Sequence, residues 1–149
     1  MAVMGATKFE RFFRAAAELD VGKQDLKRYS YFVNHKIYDL LLRGEAAAKA
    51  NGRDIVDPQD LPITKGLQEC IHRFKKLEGE IEVESILEHI TASPPLDLAL
   101  RDVTEAMLPE ITGGLSVALA RAFKIIDPKT KNPASEDWER AFQIFNLLL

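Results

Sequence analysis

Apolar and polar residues recur at the three- and four-residue spacing of amphipathic helices over most of the chain. In the first such segment one face is apolar, while Lys8, Arg11 and Arg14 fall on another face. Thr7 is a candidate N-cap of this helix, and Gly22 is a candidate left-handed residue at its C-terminal end. The predicted buried residues are Phe9, Phe12, Phe13, Ala16 and Leu19.

The second segment, from Gln24 to Ala50, predicts one very long helix, because it contains no proline and a single glycine, Gly44. At 1.5 Å per residue this helix would be about 40 Å long, and Asn51-Gly52 would end it. The residues on its apolar face are Leu26, Tyr29, Val33, Ile37, Leu40, Leu41, Ala47 and Ala48.

A short link and a third helix are predicted next. Arg53 to Val56 should be briefly extended, and Asp57-Pro58 has the form of an N-cap followed by proline at the first helical position. The apolar positions of the third helix are Leu61, Ile63, Leu67, Ile71 and Phe74. The first half of the chain therefore has the order short helix, long helix, short link, short helix.

The second half repeats this order. Val83 to Thr91 is predicted to be a short helix, and Ser93-Pro94-Pro95 opens a long helical pattern that reaches Phe123. Pro109 should kink that helix, because proline lacks the amide hydrogen and clashes with the preceding turn. The apolar face consists of Val103, Met107, Leu108, Ile111, Leu115, Ala118, Leu119 and Ala122.

A second link and a last short helix complete the pattern. Lys124 to Ile126 is predicted to be extended, and Asp127-Pro128 precedes the last helix, with Asn132-Pro133 or Ser135 as its cap. The apolar positions of the last helix are Trp138, Ala141, Phe142, Ile144 and Phe145.

The twofold order short–long–short predicts an all-α fold. Short flanking helices cover only the ends of a long helix, so the apolar centre of each long helix must pack against the other, at about 25 cal/mol per Å² of apolar surface buried. We expect the two long helices to cross antiparallel within one compact domain, with halves at about residues 1–78 and 79–149.

The stretch from Ala50 to Leu61 resembles the end of the long helix, the second loop and the third helix of an archaeal histone. In that family a glycine is followed by arginine, an aliphatic strand residue and an aspartate-plus-aliphatic pair, which Gly52, Arg53 and Asp60-Leu61 match. In element order the whole chain is similar to a small bacterial family of doubled histone folds to which no function is assigned. The resemblance implies a histone fold in which two tandem units pack as an intramolecular pseudo-dimer, with an Arg53–Asp60 clamp between loop and helix.

The chain also departs from the archaeal pattern. Archaeal histones carry basic residues where their second loop meets DNA, and the matching positions here are Asp54 and Asp57, which would repel phosphate. The second half has Lys129 and Lys131 in its equivalent loop, but Thr130 stands where a second clamp arginine would be. These departures count against a DNA-binding surface built from the loops.

The composition also counts against a strongly basic, DNA-binding protein. The 149 residues include 20 Lys and Arg against 23 Asp and Glu, which is ordinary for globular proteins and lacks the basic excess of a typical phosphate binder. The first half has 14 basic and 11 acidic residues, whereas the second half has 6 and 12. The absence of an apolar leader and of a long apolar run leads us to expect a cytoplasmic protein without a membrane span.

One basic cluster is the best candidate functional site. Its members fall on the predicted first helix, the first loop and the start of the long helix, which are the regions that contact the DNA backbone in histones. The alternative is that these side chains form the ordinary solvated face of amphipathic helices. The candidate DNA-binding residues are Lys8, Arg11, Arg14, Lys23, Lys27 and Arg28.

No catalytic or metal-binding pattern is found. His35, His72 and His89 are dispersed without metal-ligand spacing, and Cys70 is the only cysteine. Cys70 and His72 would point to different sides of a helix, so they do not make a nucleophile–base pair. The acidic residues Glu80, Glu82, Glu84 and Glu88 are expected to be solvated. We therefore expect no enzyme activity, cofactor or metal.

The favoured function is a protein-interaction or assembly module, with a protein partner or a second copy bound by an exposed helix pair. The alternative within the same fold is a nucleoid-associated DNA-binding protein that uses the basic cluster, in which case the protein would be found with the nucleoid. A helical ligand-binding regulator or enzyme is the alternative from another class, and it would need a convergent set of polar residues.

Overall fold

The computed structural model of the protein describes residues 4–77 and 93–149. This part of the chain is mostly helical, as the apolar pattern predicts. The elements of the first half are α1 (Ala6–Ala17), α2 (Lys23–Ala50), β1 (Ile55–Val56), a 3₁₀ turn (Pro58–Asp60) and α3 (Lys65–Lys76). Those of the second half are β2 (Ala99–Leu100), α4 (Asp102–Ala106), α5 (Leu108–Ile126) and α6 (Ser135–Leu148). The helix predicted at Val83–Thr91, with His89 and the four clustered glutamates, lies outside the described residues.

The first turn between helices differs from the prediction. α1 ends earlier than expected, because Glu18 takes the left-handed conformation (φ 54°) and its amide donates to the Arg14 carbonyl at 2.9 Å. Gly22 is extended and is the N-cap of α2, where its amide donates to the Asp25 carboxylate at 3.1 Å. Gly22 therefore begins a helix instead of ending one, and the N-cap of α1 is Gly5 instead of Thr7.

Two other helices begin later than predicted because of prolines near their predicted starts. Asp57 and Pro58 open only a 3₁₀ turn, because Pro62 keeps Leu61 extended and the turn cannot run on into α3. α3 begins at Lys65, and the Thr64 side chain accepts the Leu67 amide at 3.1 Å.

The second long helix begins at Asp102 and not near Ser93, since the two prolines at 94 and 95 disfavour helix there. It is divided into α4 and α5 at Met107, two residues before Pro109. Lys124–Ile126 is helical, not extended, because α5 continues to Ile126.

The described residues share one hydrophobic core. Leu40 of α2 and Leu115 of α5 belong to the same buried cluster, which also contains the aromatic rings of Phe13, Tyr29 and Trp138. Two residues of the predicted apolar faces are exposed instead: Val103 by 58% and Ile144 by 42%.

α3 lies directly across α5, and two glycines allow the close approach. A β-carbon on Gly113 would lie 2.2 Å from the Phe74 ring, and one on Gly114 would lie 2.5 Å from the Ile71 side chain. Real β-carbons do not approach other atoms so closely. The two halves of the chain can therefore pack at this distance only because both positions are glycine.

The two halves also meet at both ends of the molecule. At one end β1 pairs in parallel with β2, with Ile55 opposite Ala99 and Val56 opposite Leu100. At the other end the Asp20 amide, between α1 and α2, donates to the Lys131 carbonyl, between α5 and α6, at 2.6 Å. In each case the link after one long helix contacts the segment before the other long helix.

Candidate interaction surfaces

The strand end of the molecule, where β1 meets β2, has its cations bound to carboxylates. Arg53 donates through Nη1 and Nη2 to the two carboxylate oxygens of Asp60, at 2.6 and 2.5 Å, and through Nη1 to Asp57 at 2.9 Å. Arg101, just before α4, donates through Nε to the other Asp57 oxygen. Asp57 thus lies between two arginines from different halves of the chain.

The same end has a second ion pair across the halves. Lys49, in the last turn of α2, lies 2.5 Å from the Asp97 carboxylate. Hydrogen bonding to Lys49 lowers the pKa of Asp97, and bonding to Arg53 lowers the pKa of Asp60. The bond to Asp57 raises the pKa of Arg101 in turn. Because every one of these cations has an acidic partner, this end offers little net positive charge to an anionic ligand.

The opposite end, which we call the loop end, contains segments 18–22 and 127–134 and the first two turns of α2. Besides the Asp20–Lys131 contact, Arg28 donates to the Ser135 hydroxyl at 2.7 Å. These contacts bring the loop of the second half that carries Lys129 and Lys131 to the end of the molecule where α2 begins. The two lysines were not part of the predicted basic cluster, because nothing local in the sequence shows which loops meet.

The structure divides the predicted basic cluster. Lys8, Arg11 and Arg14 lie on the exposed side of α1, where Arg14 forms a 3.3 Å surface pair with Asp20. Lys23, Lys27 and Arg28 lie in the first two turns of α2, at the loop end. Among the residues that the structure describes, Arg11, Lys23 and Lys27 are in no salt bridge, whereas Arg28 also lies 3.9 Å from Asp25.

An apolar surface lies elsewhere, on the C-terminal turns of α5 and on α6. Its most exposed residues are Ile125 (79%), Leu147 (83%) and Leu148 (71%), and Ile144 belongs to it as well. Ile144 was predicted to lie in the core and the other three were not singled out, because helical periodicity does not show which apolar face lacks a partner.

Two grooves flank α6 on this surface. The larger, about 440 Å³, runs between α3, α5 and α6 and is lined by the small residues Ala118 and Ala122 and by Ile125 and Ile144. The second, about 320 Å³, is lined by Ile126, Arg140, Gln143, Ile144 and Leu147. Because Ile144 lines both grooves, they are two parts of one continuous surface.

The larger groove contains few polar or reactive side chains. The Cys70 thiol is buried in its wall, and Arg121 Nη1 lies 3.9 Å from the Cys70 sulfur. His72 is exposed on a different side of α3, as predicted, and lines a polar groove with Arg73. Within residues 4–77 and 93–149, His, Cys, Asp and Glu side chains form no group able to hold a metal ion. In the same residues no helix is both long and apolar enough to cross a membrane.

Comparison with known proteins places this arrangement in a family. The model of a family described as a domain of unknown function, DUF1931, matches residues 9–146. An uncharacterised protein of Aquifex aeolicus (strain VF5) is 30% identical over 140 residues, which cover 94% of this chain and 81% of that protein.

Solved structures show the same fold. A protein of Thermus thermophilus is 49% identical, with a TM-score of 0.94 and 99% of each chain covered. A protein of Aquifex aeolicus is 28% identical, with a TM-score of 0.80 and coverage of 96% of this chain and 94% of that one. The histone from Methanopyrus kandleri is 13% identical, with a TM-score of 0.60 over 93% of this chain and 92% of the histone. The resemblance to a bacterial family similar to archaeal histones is therefore confirmed, and at 13% identity the histone shows the fold alone.

Proposed function

This chain belongs to the DUF1931 family, and from that premise we propose that it is a non-enzymatic protein-association module whose two halves mimic a histone dimer. The two cross-contacts support the pseudo-dimer. The link after α2 pairs with the segment before α4, and the link after α5 pairs with the segment before α2. Such reciprocal contact is what two short–long–short units produce when their long helices cross.

The observation that carries the association function is the exposed apolar surface of α5 and α6. Scattered apolar residues are normal on protein surfaces, but contiguous ones bordering grooves are typical of interaction sites. Here three large side chains are each more than two thirds exposed, and they adjoin a groove of about 440 Å³. Burying these side chains against a partner would remove apolar surface from water and stabilise the complex.

Site-specific photo-crosslinking in cells tests this function. We expect Leu147→p-benzoylphenylalanine to form protein crosslinks on irradiation, whereas the same residue at Arg43, exposed on α2, should form few. A further Ile144→Glu substitution should abolish the crosslinks from position 147, since a carboxylate would be placed in the contact. The function is rejected if position 147 yields no protein adduct.

A second candidate function, contact with a nucleic-acid backbone, is supported by the loop end. There the loop that carries Lys129 and Lys131 contacts the segment before α2 through the Asp20–Lys131 bond, and Arg28 of α2 bonds Ser135 just after that loop. Exposed lysines from both halves, Lys23 and Lys27 among them, therefore belong to the same end of the molecule. Protein–phosphate contacts weaken steeply with salt because binding releases counterions.

Fluorescence anisotropy with a labelled duplex tests this second function. Affinity should fall as KCl rises, and replacing Lys129 and Lys131 by glutamine should make that fall shallower by roughly one unit of log–log slope per lysine. Lys49→Gln, at the end where cations already have carboxylate partners, is the control and should leave binding unchanged. Absence of binding at low salt removes this candidate.

A further inference from the structure

We propose that the partner of the apolar surface is the same surface on a second copy of this chain, related by a two-fold axis, so that the protein forms a closed dimer. This inference rests on the association function proposed above and names its partner. It follows from three properties of the surface: its shape, its charges and the character of the matching surface in the other half.

The surface combines exposed apolar side chains with a groove. Leu147 and Leu148, which we call the ridge, are exposed at the end of α6, and Leu148 also lines the groove that contains Ala118 and Ala122. Ridges of side chains on one helix pack into grooves of another, and alanines keep such a groove open. A two-fold axis near Ile144 would insert the ridge of each copy into the groove of the other, because a two-fold interface uses the same patch twice.

The charges at the groove are also self-complementary. Arg121 lines the groove and is partly buried, and within the described part of the chain it has no carboxylate partner. Glu69 lines the same groove, and its pair with Lys65 is held by a lysine side chain that is 92% exposed. Exposed pairs of this kind contribute little to stability, so Glu69 is available to an arginine. In a two-fold dimer, Arg121 of each copy can pair with Glu69 of the other.

The other half of the chain explains why assembly should stop at two copies. The corresponding helices are the end of α2 and α3. One side of α3 forms a wall of the groove described above, but the other exposed residues of these helices are mainly polar, as with Arg43, His72 and Arg73. Leu42 is the large apolar residue exposed there, at 40%. A single apolar patch that pairs with itself gives a closed dimer, whereas two such patches would give a chain.

Light scattering of the purified full-length protein tests the inference. We expect a mass of twice 16.8 kDa that falls to 16.8 kDa on dilution. Leu147→Glu should raise the dimer dissociation constant roughly tenfold or more, while the matched variant Leu42→Glu should leave it unchanged. Circular dichroism of both variants shows whether each remains folded.

A charge exchange tests the two-fold geometry itself. Arg121→Glu alone should weaken the dimer, and adding Glu69→Arg in the same chain should restore it, since each interface then regains its opposite charges. A double variant no stronger than the single one would overturn the proposed register.

Light scattering and photo-crosslinking together distinguish the proposed dimer from the association function on which it rests. A protein that stays at 16.8 kDa at high concentration, but crosslinks from position 147 to a protein of another mass, keeps the association function and overturns the dimer. A monomer without adducts at position 147 rejects both.

Discussion

At the scale of single residues, Asp57 and Asp60 of the strand end each accept hydrogen bonds from two residues. Both carboxylates are largely buried, and Arg53 and Arg101 bring positive charge to them from the two halves of the chain. The Asp57 amide also donates to Asp60 at 2.7 Å, which fixes the 3₁₀ turn. The Arg53–Asp60 pair was expected from the resemblance of this stretch to archaeal histones, and its members are 7 positions apart in one short motif. The role of Arg101 was not, because 44 positions separate it from Asp57.

Removing Arg53 should destabilise the protein. Arg53→Met keeps much of the side-chain volume but leaves the Asp60 carboxylate buried without its cation, and an unpaired buried charge is costly. Thermal unfolding should show a clear fall in the midpoint temperature. Lys65→Met is the matched control, since the Lys65–Glu69 pair is exposed, and a fall of equal size there would contradict this account.

The same pair predicts a pH dependence. Because Arg53 holds the pKa of Asp60 below its usual 3.8, the folded state favours the carboxylate form. The pair therefore contributes its full stability above about pH 4, and that contribution is lost as the pH falls through the lowered folded pKa. Urea unfolding between about pH 2 and 7 should show that Asp60→Asn is less stable than the natural protein at neutral pH. The difference between the two should shrink below about pH 4, and a constant difference would argue against the assigned role.

At the scale of elements, the crossing of α3 over α5 joins the halves most closely. Helices approach this closely only where side chains are absent from the contact, and Gly113 and Gly114 meet Phe74 and Ile71 there. Two adjacent glycines within a helical pattern are typical of either a loosened helix or a close helix crossing. The structure shows the crossing, since both glycines are buried within a continuous α5.

Gly113→Ala should therefore destabilise the protein by roughly 1–3 kcal/mol, as overpacking of a tight contact does. Alanine is a better helix former than glycine, so a loss of stability would come from the contact with Phe74 and not from helix propensity. Gly66→Ala in α3 is the control, because no atom lies within 4 Å of its added β-carbon. That substitution should be neutral or stabilise the protein by up to about 1 kcal/mol. Chemical denaturation of both variants measures the two free energies of unfolding.

At the scale of the whole molecule, the two ends of the described structure differ in their charged groups. The strand end pairs its arginines and Lys49 with carboxylates, while the loop end gathers lysines from both halves. The exposed apolar side chains Ile125, Ile144, Leu147 and Leu148 all belong to the second half, whereas the first half contributes only one wall of the larger groove to that surface. The charged groups and the exposed apolar side chains are therefore distributed unequally between the two halves of the chain.

Each half should fail to fold alone. Residues such as Tyr29 are covered by the other half: its hydroxyl lies 2.6 Å from the Ser116 hydroxyl, and burial raises its pKa. Peptides of residues 1–78 and 79–149 should show little helix separately and gain helical circular dichroism on mixing, in equimolar proportion. A stably helical single half would contradict the shared core.

The sequence by itself determined the helical character of the described residues and the buried faces of α1, α2 and α3. These follow from periodicity, which reflects interactions between residues close together along the chain. The Arg53–Asp60 pair was implied by the resemblance to archaeal histones. Helix starts near Pro62 and Pro94 were less well predicted, because proline restricts the preceding residue as well as its own position. The interruption of the second long helix near Pro109 was predicted.

Only the tertiary structure decided which surfaces remain uncovered. Periodicity shows that Ile144 lies on an apolar face, but whether a face is buried depends on which helix packs against it. Whether Lys131 is an isolated loop residue or part of a basic surface likewise depends on its contact with Asp20, in the other half of the chain. Such long-range contacts come from the global arrangement of the core, and no local pattern of residues encodes them.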